Sequence, residues 1–287
     1  VSDRPIMTVI ADAGSTKIEW ALLGKDSRCR LRLCTRGFNA AQSHTDRLVE
    51  IIREDAPALL GDATGCSAIY FYGAGCIGER CDEVGSVLKA TFAAETAHVD
   101  SDMLAAARAL CGSEPGIACI LGTGSNSCLY DGRRITANTP PMGFILGDEG
   151  SGASLGKALL AGIFKRRLPQ SVISLFTDRY PEADKAGVIR NVYRGERPAA
   201  YLASFAPFLK EHIDLPEISR LVTDEFTRFF SMNILDYDNA RALPVHFIGS
   251  IAHHFAPQLR RAAADCGLTI GRITQAPMDA LISFHGQ

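Results

Sequence analysis

The sequence predicts an α/β protein of two domains, each a sheet flanked by helices. Three observations carry that expectation. Short apolar runs of strand length alternate with helical patterns along most of the chain. The 287 residues are about twice the ~150 typical of one domain. A strand, a turn of small residues and a second strand open both halves, a weak repeat of about 110 residues with negligible identity between the copies.

Met7-Thr8-Val9-Ile10-Ala11 reads as a buried strand, and residues 18–23 as a second after a tight Gly-Ser-Thr turn. Residues 28–34 alternate and give a third, so an antiparallel meander opens the first domain. Residues 46–56 have helical spacing through Leu48, Val49, Ile51 and Ile52. A fourth strand, 68–72, ends at Gly73-Ala74-Gly75. A helix over 79–92, a short strand at 97–99 and an Ala-rich helix over 101–110 follow, the last with Ser101 as its N-cap. Cys111-Gly112-Ser113-Glu114-Pro115-Gly116 is the linker, which sets domains of 1–112 and 113–276, with 277–287 packing back on the first.

The second half repeats the opening. Residues 117–121 form a strand, Gly122-Thr123-Gly124-Ser125 a turn, 126–130 a strand, Asp131-Gly132 a hairpin turn, and 134–137 a strand. The chain is then mainly helical to Asp238, starting with a helix over 151–164. A strand at 243–248, a helix over 250–266, a strand at 268–270 and a last helix over 279–285 complete it.

Apolar residues make up 47% and charged residues 22%, the balance of a globular chain. Thirty Lys and Arg oppose thirty-two Asp and Glu. That near-neutrality gives no footprint for nucleic acid or for a membrane surface, and no apolar run reaches the length of a span. Residues 1–5 run straight into the first strand without the apolar stretch of a signal peptide. The nine cysteines include no C-x-x-C pair, and several, such as Cys119, sit inside apolar strands. They read as packed thiols in a reducing cytoplasm.

Asp12-Ala13-Gly14-Ser15-Thr16-Lys17 joins two strands. Small residues in such a turn expose consecutive N–H groups that form an anion nest. Ser15 and Thr16 add hydroxyls, Lys17 adds a charge, and Asp12 can hold a magnesium ion through water. A plain hairpin would share this composition, and the spacing is not that of a Walker loop. Leu121-Gly122-Thr123-Gly124-Ser125-Asn126 is a second loop of the same kind, and two such loops are what a nucleotide clamped between domains needs. Residues 143–152 hold four glycines and the adjacent acids Asp148 and Glu149 just ahead of a helix. That fits a ligand loop; acids favouring a helix N-terminus are the plainer account. Asp102 opens the Ala-rich helix, where it is either an ordinary first-turn acid or a carboxylate that takes a hydroxyl proton, with Asp100 as the fallback. Gly249-Ser250, between a strand and a helix, is a natural place for ribose or adenine to meet backbone. His253 and His254 read as solvated or packed.

Together these motifs resemble the ATPase superfamily shared by actin, Hsp70 and sugar kinases. Within it, the chain resembles the N-acetylglucosamine kinase branch of the BadF/BadG/BcrA/BcrD group, especially its short bacterial members. The resemblance spans nearly the whole chain through residues 12–17, Gly73-Ala74-Gly75-Cys76, residues 121–127, residues 143–152, Ile248-Gly249-Ser250-Ile251-Ala252 and Pro277-Met278-Asp279-Ala280-Leu281. It implies two actin-like, ribonuclease H-like domains with ATP in the cleft between them. It implies ATP contacts at Thr16 and Thr123, and sugar contacts at Asn39, Ser125, Asn126 and Asp148. It also implies Asp102 as the catalytic base. Pro141-Met142-Gly143 stands where the family often has Gly-Trp-Gly, so Met142 and Gly143 fall in the sugar site. The zinc motif of ROK-type kinases and the Lys-Cys-Ala-Ala-Gly-Thr-Gly segment of cluster-bearing dehydratase activators are both missing from the sequence.

The expected activity is ATP- and Mg2+-dependent phosphorylation of N-acetylglucosamine on its 6-hydroxyl. The expected partner is a small sugar rather than a nucleic acid or a membrane, with a homodimer compatible. N-acetylmuramic acid or glucosamine as acceptor, an ATP-hydrolysing activator and a sugar sensor are the alternatives.

Overall fold

The computed structural model describes residues 7–286; the reading of residues 1–5 lies outside the described residues, as does Gln287. The chain divides into two compact units, Val1–Ser113 with Pro277–Gln287, and Glu114–Ala276.

In the first unit β1 (Thr8–Ala13), β2 (Lys17–Leu23) and β3 (Cys29–Arg36) form the antiparallel meander. After α1 (Thr45–Asp55) and α2 (Pro57–Ala63), β4 (Ala68–Gly73) pairs parallel with the other side of β1. Following α3 (Glu79–Phe92), β5 (Thr96–Ser101) pairs parallel with β4, giving the order β3-β2-β1-β4-β5. α4 (Asp102–Cys111) follows, its N-terminus capped by Ser101, which accepts a hydrogen bond from the Leu104 amide.

The two-residue period of a strand sorts β1 between two cores. Val9, Ala11 and Ala13 pack with Leu48 and Ile52 of α1 and Leu88 of α3. Ile10 turns the other way, to Ala105 and Ala109 of α4 and Met278 and Leu281 of the last helix. Asp12, two residues beyond Ile10, lies on that second face. Trp20 is fully buried between Phe71 and Phe92, and its indole N–H donates to the Thr35 hydroxyl at 3.0 Å. α2 is not anticipated from the sequence; Pro57 in its first turn starts a new helix where α1 ends.

The second unit repeats the topology. β6 (Gly116–Leu121), β7 (Ser125–Tyr130) and β8 (Ile135–Thr139) form an antiparallel meander. The helical stretch comprises α5 (Gly143–Leu146), α6 (Gly152–Phe164), α7 (Gln170–Arg179), α8 (Lys185–Tyr193), α9 (Pro198–Ala203), α10 (Ala206–Glu211) and α11 (Pro216–Asn233). β9 (Pro244–Ile248) pairs parallel with β6, and β10 (Thr269–Thr274) pairs parallel with β9. The order β10-β9-β6-β7-β8 is that of the first sheet. Phe229 and Phe230 of α11 pack on Phe247 of β9.

Two expectations are corrected. The single helix over 250–266 is two, α12 (Ser250–His254) and α13 (Ala256–Asp265). Pro257 in the first turn of α13 lacks an N–H donor, and Phe255 leaves helical geometry at φ −110°, ψ 25°. The strand at 268–270 runs on to Thr274, with its register shifted between Ile270 and Ile273. Gly271 makes room there for the His246 ring, whose Nδ1 accepts from the Arg272 amide at 2.9 Å.

α14 (Met278–His285) returns to the first unit and is held at both ends. Near its start Asp279 meets Arg32 at 2.5 Å. At its end the His285 ring stacks on Tyr70 at 3.9 Å between centroids, and its Nε2 lies 2.8 Å from the Tyr72 hydroxyl. Arg108 donates to that same hydroxyl at 2.6 Å. The Tyr72 proton is therefore directed at an unprotonated Nε2. Burial, then the charges of Arg108 and His98, hold His285 down at about 4.

α6 and α9 cross in close contact. A Cβ built on Gly156 would lie 1.9 Å from the Leu202 carbonyl oxygen, backbone that cannot rotate away. Gly156→Ala is expected to lower stability by about 2 kcal/mol or more, as overpacked sites do, read as a lower denaturation midpoint. His285 gives a pH signature. The unfolded chain takes up a proton below about 6.5, whereas the folded chain refuses it down to about 4. Stability should therefore fall as pH drops between those values. His285→Gln should flatten that slope in unfolding titrations from pH 7 to pH 4.5.

Candidate active site

In the first unit the β1–β2 turn is fixed from behind. The Gly14 carbonyl accepts from the Phe38 amide and the Thr16 carbonyl from the Gly37 amide, both at 3.1 Å, while Ala74 N–H reaches the Ala13 carbonyl at 2.9 Å. A Cβ on Gly37 would lie 2.5 Å from the Ser15 carbonyl carbon and oxygen, so only glycine allows this approach. Ser15, Thr16 and Lys17 face solvent. Asn39 joins them: its Nδ2 donates to Ser15 Oγ and its Oδ1 accepts from the Ala41 amide, each at 3.0 Å. Gly75, at φ +76°, leaves the space Asn39 uses; a Cβ there would lie 2.5 Å from Asn39 Oδ1.

Asp12 sits in β1 directly across from Glu19. Burial pushes its carboxyl up to about 7, and the charges of Asp102 and Glu19 add to this, against Lys17. Glu19 is itself clamped by Arg32, from Nε at 2.6 Å and Nη2 at 2.5 Å. Burial also raises Asp102, opposed by the amides of Met103 and of Asp102 itself. The two aspartates near the end of β5 differ. Asp100 is in register with Tyr72 and lies 3.8 Å from Arg108. Asp102, at the head of α4, acts on Asp12.

In the second unit the β6–β7 turn closes through Gly122 N–H to the Gly124 carbonyl at 3.0 Å. The first turn of α6 docks on it: Gly152 N–H reaches the Gly122 carbonyl at 2.8 Å and Ala153 N–H the Thr123 carbonyl at 3.1 Å. Asp148 lies against the same turn. Its Oδ1 accepts from the Ser125 amide at 3.1 Å, and its carboxylate occupies the side that Gly124 leaves bare. Asp148 has φ +57°, a left-handed conformation that disfavours side chains, and its loop closes through Asp148 N–H to the Pro141 carbonyl at 3.0 Å. Burial raises its carboxyl, Glu149 adds to this, and the Ser125 amide and Lys157 oppose it. Glu149 is 6% exposed and accepts from Asn233 Nδ2 at 3.2 Å. Asn126 Oδ1 takes the Ser127 amide and Asn138 Nδ2, each at 2.9 Å. Met142 (φ +58°) and Gly143 (φ +71°) start α5, with Met142 60% exposed.

Gly249 has φ +121°, and a Cβ on it would lie 2.2 Å from the Leu121 carbonyl oxygen. It lets α12 begin against the turn. Gly122, Thr123 and Ser250 there line a cavity of about 530 Å3, closed by Pro207, Lys210 and Glu211 of the α10 region and by Ile251 and Phe255. The α10 side chains carry no motif and stand about 85 residues from Thr123 along the chain, so sequence spacing does not find them. His254 lines the same cavity.

The two sheets of shared order, each with a glycine turn on its first two strands, define the actin-like α/β fold of sugar kinases. Solved structures bear this out. An N-acetylglucosamine kinase, so described provisionally, from Porphyromonas gingivalis is 41% identical, over 97% of this chain and 98% of its own, with a TM-score of 0.92. A second protein so described, from Chromobacterium violaceum, is 19% identical over 98% and 99%, with a TM-score of 0.75. A ROK family glucokinase from Streptomyces griseus, solved with glucose and AMPPNP, shares the fold at 11% identity over 98% and 97%, with a TM-score of 0.53. No family profile and no curated protein matches the chain. The chain belongs to the family of the Porphyromonas protein, the N-acetylglucosamine kinase family.

Proposed function

We propose that this protein is a sugar kinase that transfers the γ-phosphoryl group of ATP to the 6-hydroxyl of N-acetylglucosamine. The observation that carries this is a pair of locked glycine turns, each beside a carboxylate whose proton affinity is raised. Identity of 41% along the whole chain to a protein described as an N-acetylglucosamine kinase supports the choice of sugar.

Asp102 is the base. It orients the hydroxyl and takes its proton as the oxygen attacks phosphorus and the bond to the β-phosphate oxygen breaks. A carboxyl raised by burial suits that task, since it accepts a proton more readily than an exposed one. Burial raises Asp100 as well, but Arg108, 3.8 Å away, and His98 oppose that rise. Gly14, Ser15, Thr16 and Lys17, with Gly122, Thr123 and Gly124, serve the phosphates. The cavity beside Gly249 and Ser250 takes the nucleoside. Asp148, with Asn39, Ser125, Asn126, Met142 and Gly143, serves the sugar; its carboxylate accepts hydrogen bonds from two neighbouring hydroxyls.

Among the described residues no group of three or more His, Cys, Asp or Glu could hold a metal ion. Mg2+ does not require one, because it keeps waters and takes one or two carboxylates plus phosphates. Asp12 fits, as a half-buried carboxylate whose acidic neighbours Asp102 and Glu19 outweigh Lys17. Bound Mg2+ would supply neutralisation of the phosphate oxygens. Free cysteines, with Cys66, Cys76, Cys111, Cys119 and Cys128 buried, fit a reducing cytoplasm.

Asp102→Asn should bind both substrates and lose about 10²–10⁴-fold in kcat, with Asp100→Asn close to wild type; the reverse pattern would move the base to Asp100. Asp148→Asn should raise the sugar KM at least about tenfold, as loss of a charged hydrogen-bond partner does, and leave the KM for ATP nearly unchanged. A fall in melting temperature without a change in sugar KM would confine Asp148 to supporting its loop.

A further inference from the structure

α11 ends on Asn233, and the last carbonyls of a helix have no partner inside it. The Asn233 carbonyl takes two hydroxyls instead, Ser127 Oγ at 3.2 Å and Thr139 Oγ1 at 3.1 Å. These two residues stand opposite each other on β7 and β8. The Tyr237 hydroxyl joins them, donating to the Ser127 carbonyl at 3.0 Å and accepting from the Thr139 amide at 2.8 Å. The Asn233 side chain reaches the other way. Its Nδ2 donates to Glu149 Oε2 and to the Phe229 carbonyl, each at 3.2 Å. Both of those neighbours are acceptors, so only the NH2 end of the amide fits. Asn233 and Glu149 are both buried, where a lost partner is not replaced by water.

Thr139 and Glu149 bracket the segment that carries Asp148. Thr139 ends β8 just ahead of Pro141, whose carbonyl closes the loop on the Asp148 amide, and Glu149 directly follows Asp148. Ser127 stands two residues after Ser125, whose amide donates to Asp148 Oδ1. One residue of α11 therefore holds both ends of the acid loop and the strand that the acid faces. Asp148 has φ +57°, a conformation that persists only where its surroundings impose it. We propose that Asn233 is a positioning residue of the sugar site. It touches no sugar; by fixing Thr139 and Glu149 it holds the Asp148 carboxylate beside Ser125, in the place where it receives the sugar hydroxyls. The inference rests on the sugar-kinase reading and goes beyond it to a residue 85 positions from Asp148 along the chain.

The test is steady-state kinetics with N-acetylglucosamine and ATP each varied in turn. Asn233→Ala should raise the sugar KM about fivefold to tenfold, the effect of one lost hydrogen bond, and leave the KM for ATP nearly unchanged. Glu149→Ala should do the same. It strands no buried charge, since Asn233 keeps the Phe229 carbonyl, and it decides the matter if Asn233→Ala does not fold. Val222→Ala thins the core under the same helix; it should lower the melting temperature and leave the sugar KM unchanged. Asn233→Ala added to Asp148→Asn should raise the sugar KM no further, because changes that act through one group do not add. A wild-type sugar KM in Asn233→Ala or Glu149→Ala overturns the role. So does a full second rise in the double variant, or an equal rise in Val222→Ala, which would trace the effect to a loosened helix. A wild-type protein that leaves N-acetylglucosamine unphosphorylated overturns the kinase reading, and this role with it.

Discussion

Backbone packed against backbone at two glycines is the constraint on which both candidate turns depend. Gly37 lies where a Cβ would meet the Ser15 carbonyl at 2.5 Å, and Gly249 where one would meet the Leu121 carbonyl oxygen at 2.2 Å. In each unit a segment from elsewhere in the sheet supports the turn between the first two strands. In the first unit the Gly37 and Phe38 amides use up the turn's carbonyls. In the second, α6 does the same through Gly152 and Ala153. A turn held this way needs no reorganisation when an anion arrives, and that is where preorganised donors gain their advantage over water.

Charge is arranged around these turns with the same economy of parts. Asp12 and Glu19 are direct cross-strand neighbours, a pairing that repels when both are ionised. Arg32 answers Glu19 with two contacts, and Asp279 from the returning α14 answers Arg32. Among the described residues Asp12 has no such ion pair, and only the charge of Lys17 offsets its acidic neighbours. The returning helix thus completes the chain of charges on one face of the sheet, while its far end is fixed by Tyr72, Arg108 and Tyr70.

Much of this was legible in the sequence. The opening meanders, the strand ending at Gly73, the Ser101 cap and the helix over 79–92 follow from two-residue and helical periods with glycine punctuation. Residues 12–17 and 121–126 stood out because small residues between two strands have few structural reasons to cluster. The break at Phe255 was missed because Pro257 sits inside an otherwise helical pattern, and helix starts tolerate proline as readily as helix ends are caused by it. The α10 side chains in the cavity beside Ser250 were missed because only tertiary packing brings them to Thr123. The pairing of Glu149 with Asn233 was equally invisible: adjacent acids look alike in sequence, and the structure separates a carboxylate tied to α11 from one facing Gly124.

The duplicated scaffold carries divided chemistry. If Gly14 is laid on Gly122, Asp12 falls on Ile120 and the strand carboxylate of the first unit has no counterpart in the second. The second unit supplies its acid from a loop instead, at the expense of a left-handed Asp148. A strand carboxylate is fixed by the pleat, so it can only serve what lies directly over the sheet. A carboxylate on a closed loop can stand beside the turn, with Gly124 reduced to hydrogen to admit it. Two copies of one topology can therefore present their carboxylates differently, one over the sheet and one beside the turn. What separates them is the backbone that presents each acid, since the acids themselves are the same residue type.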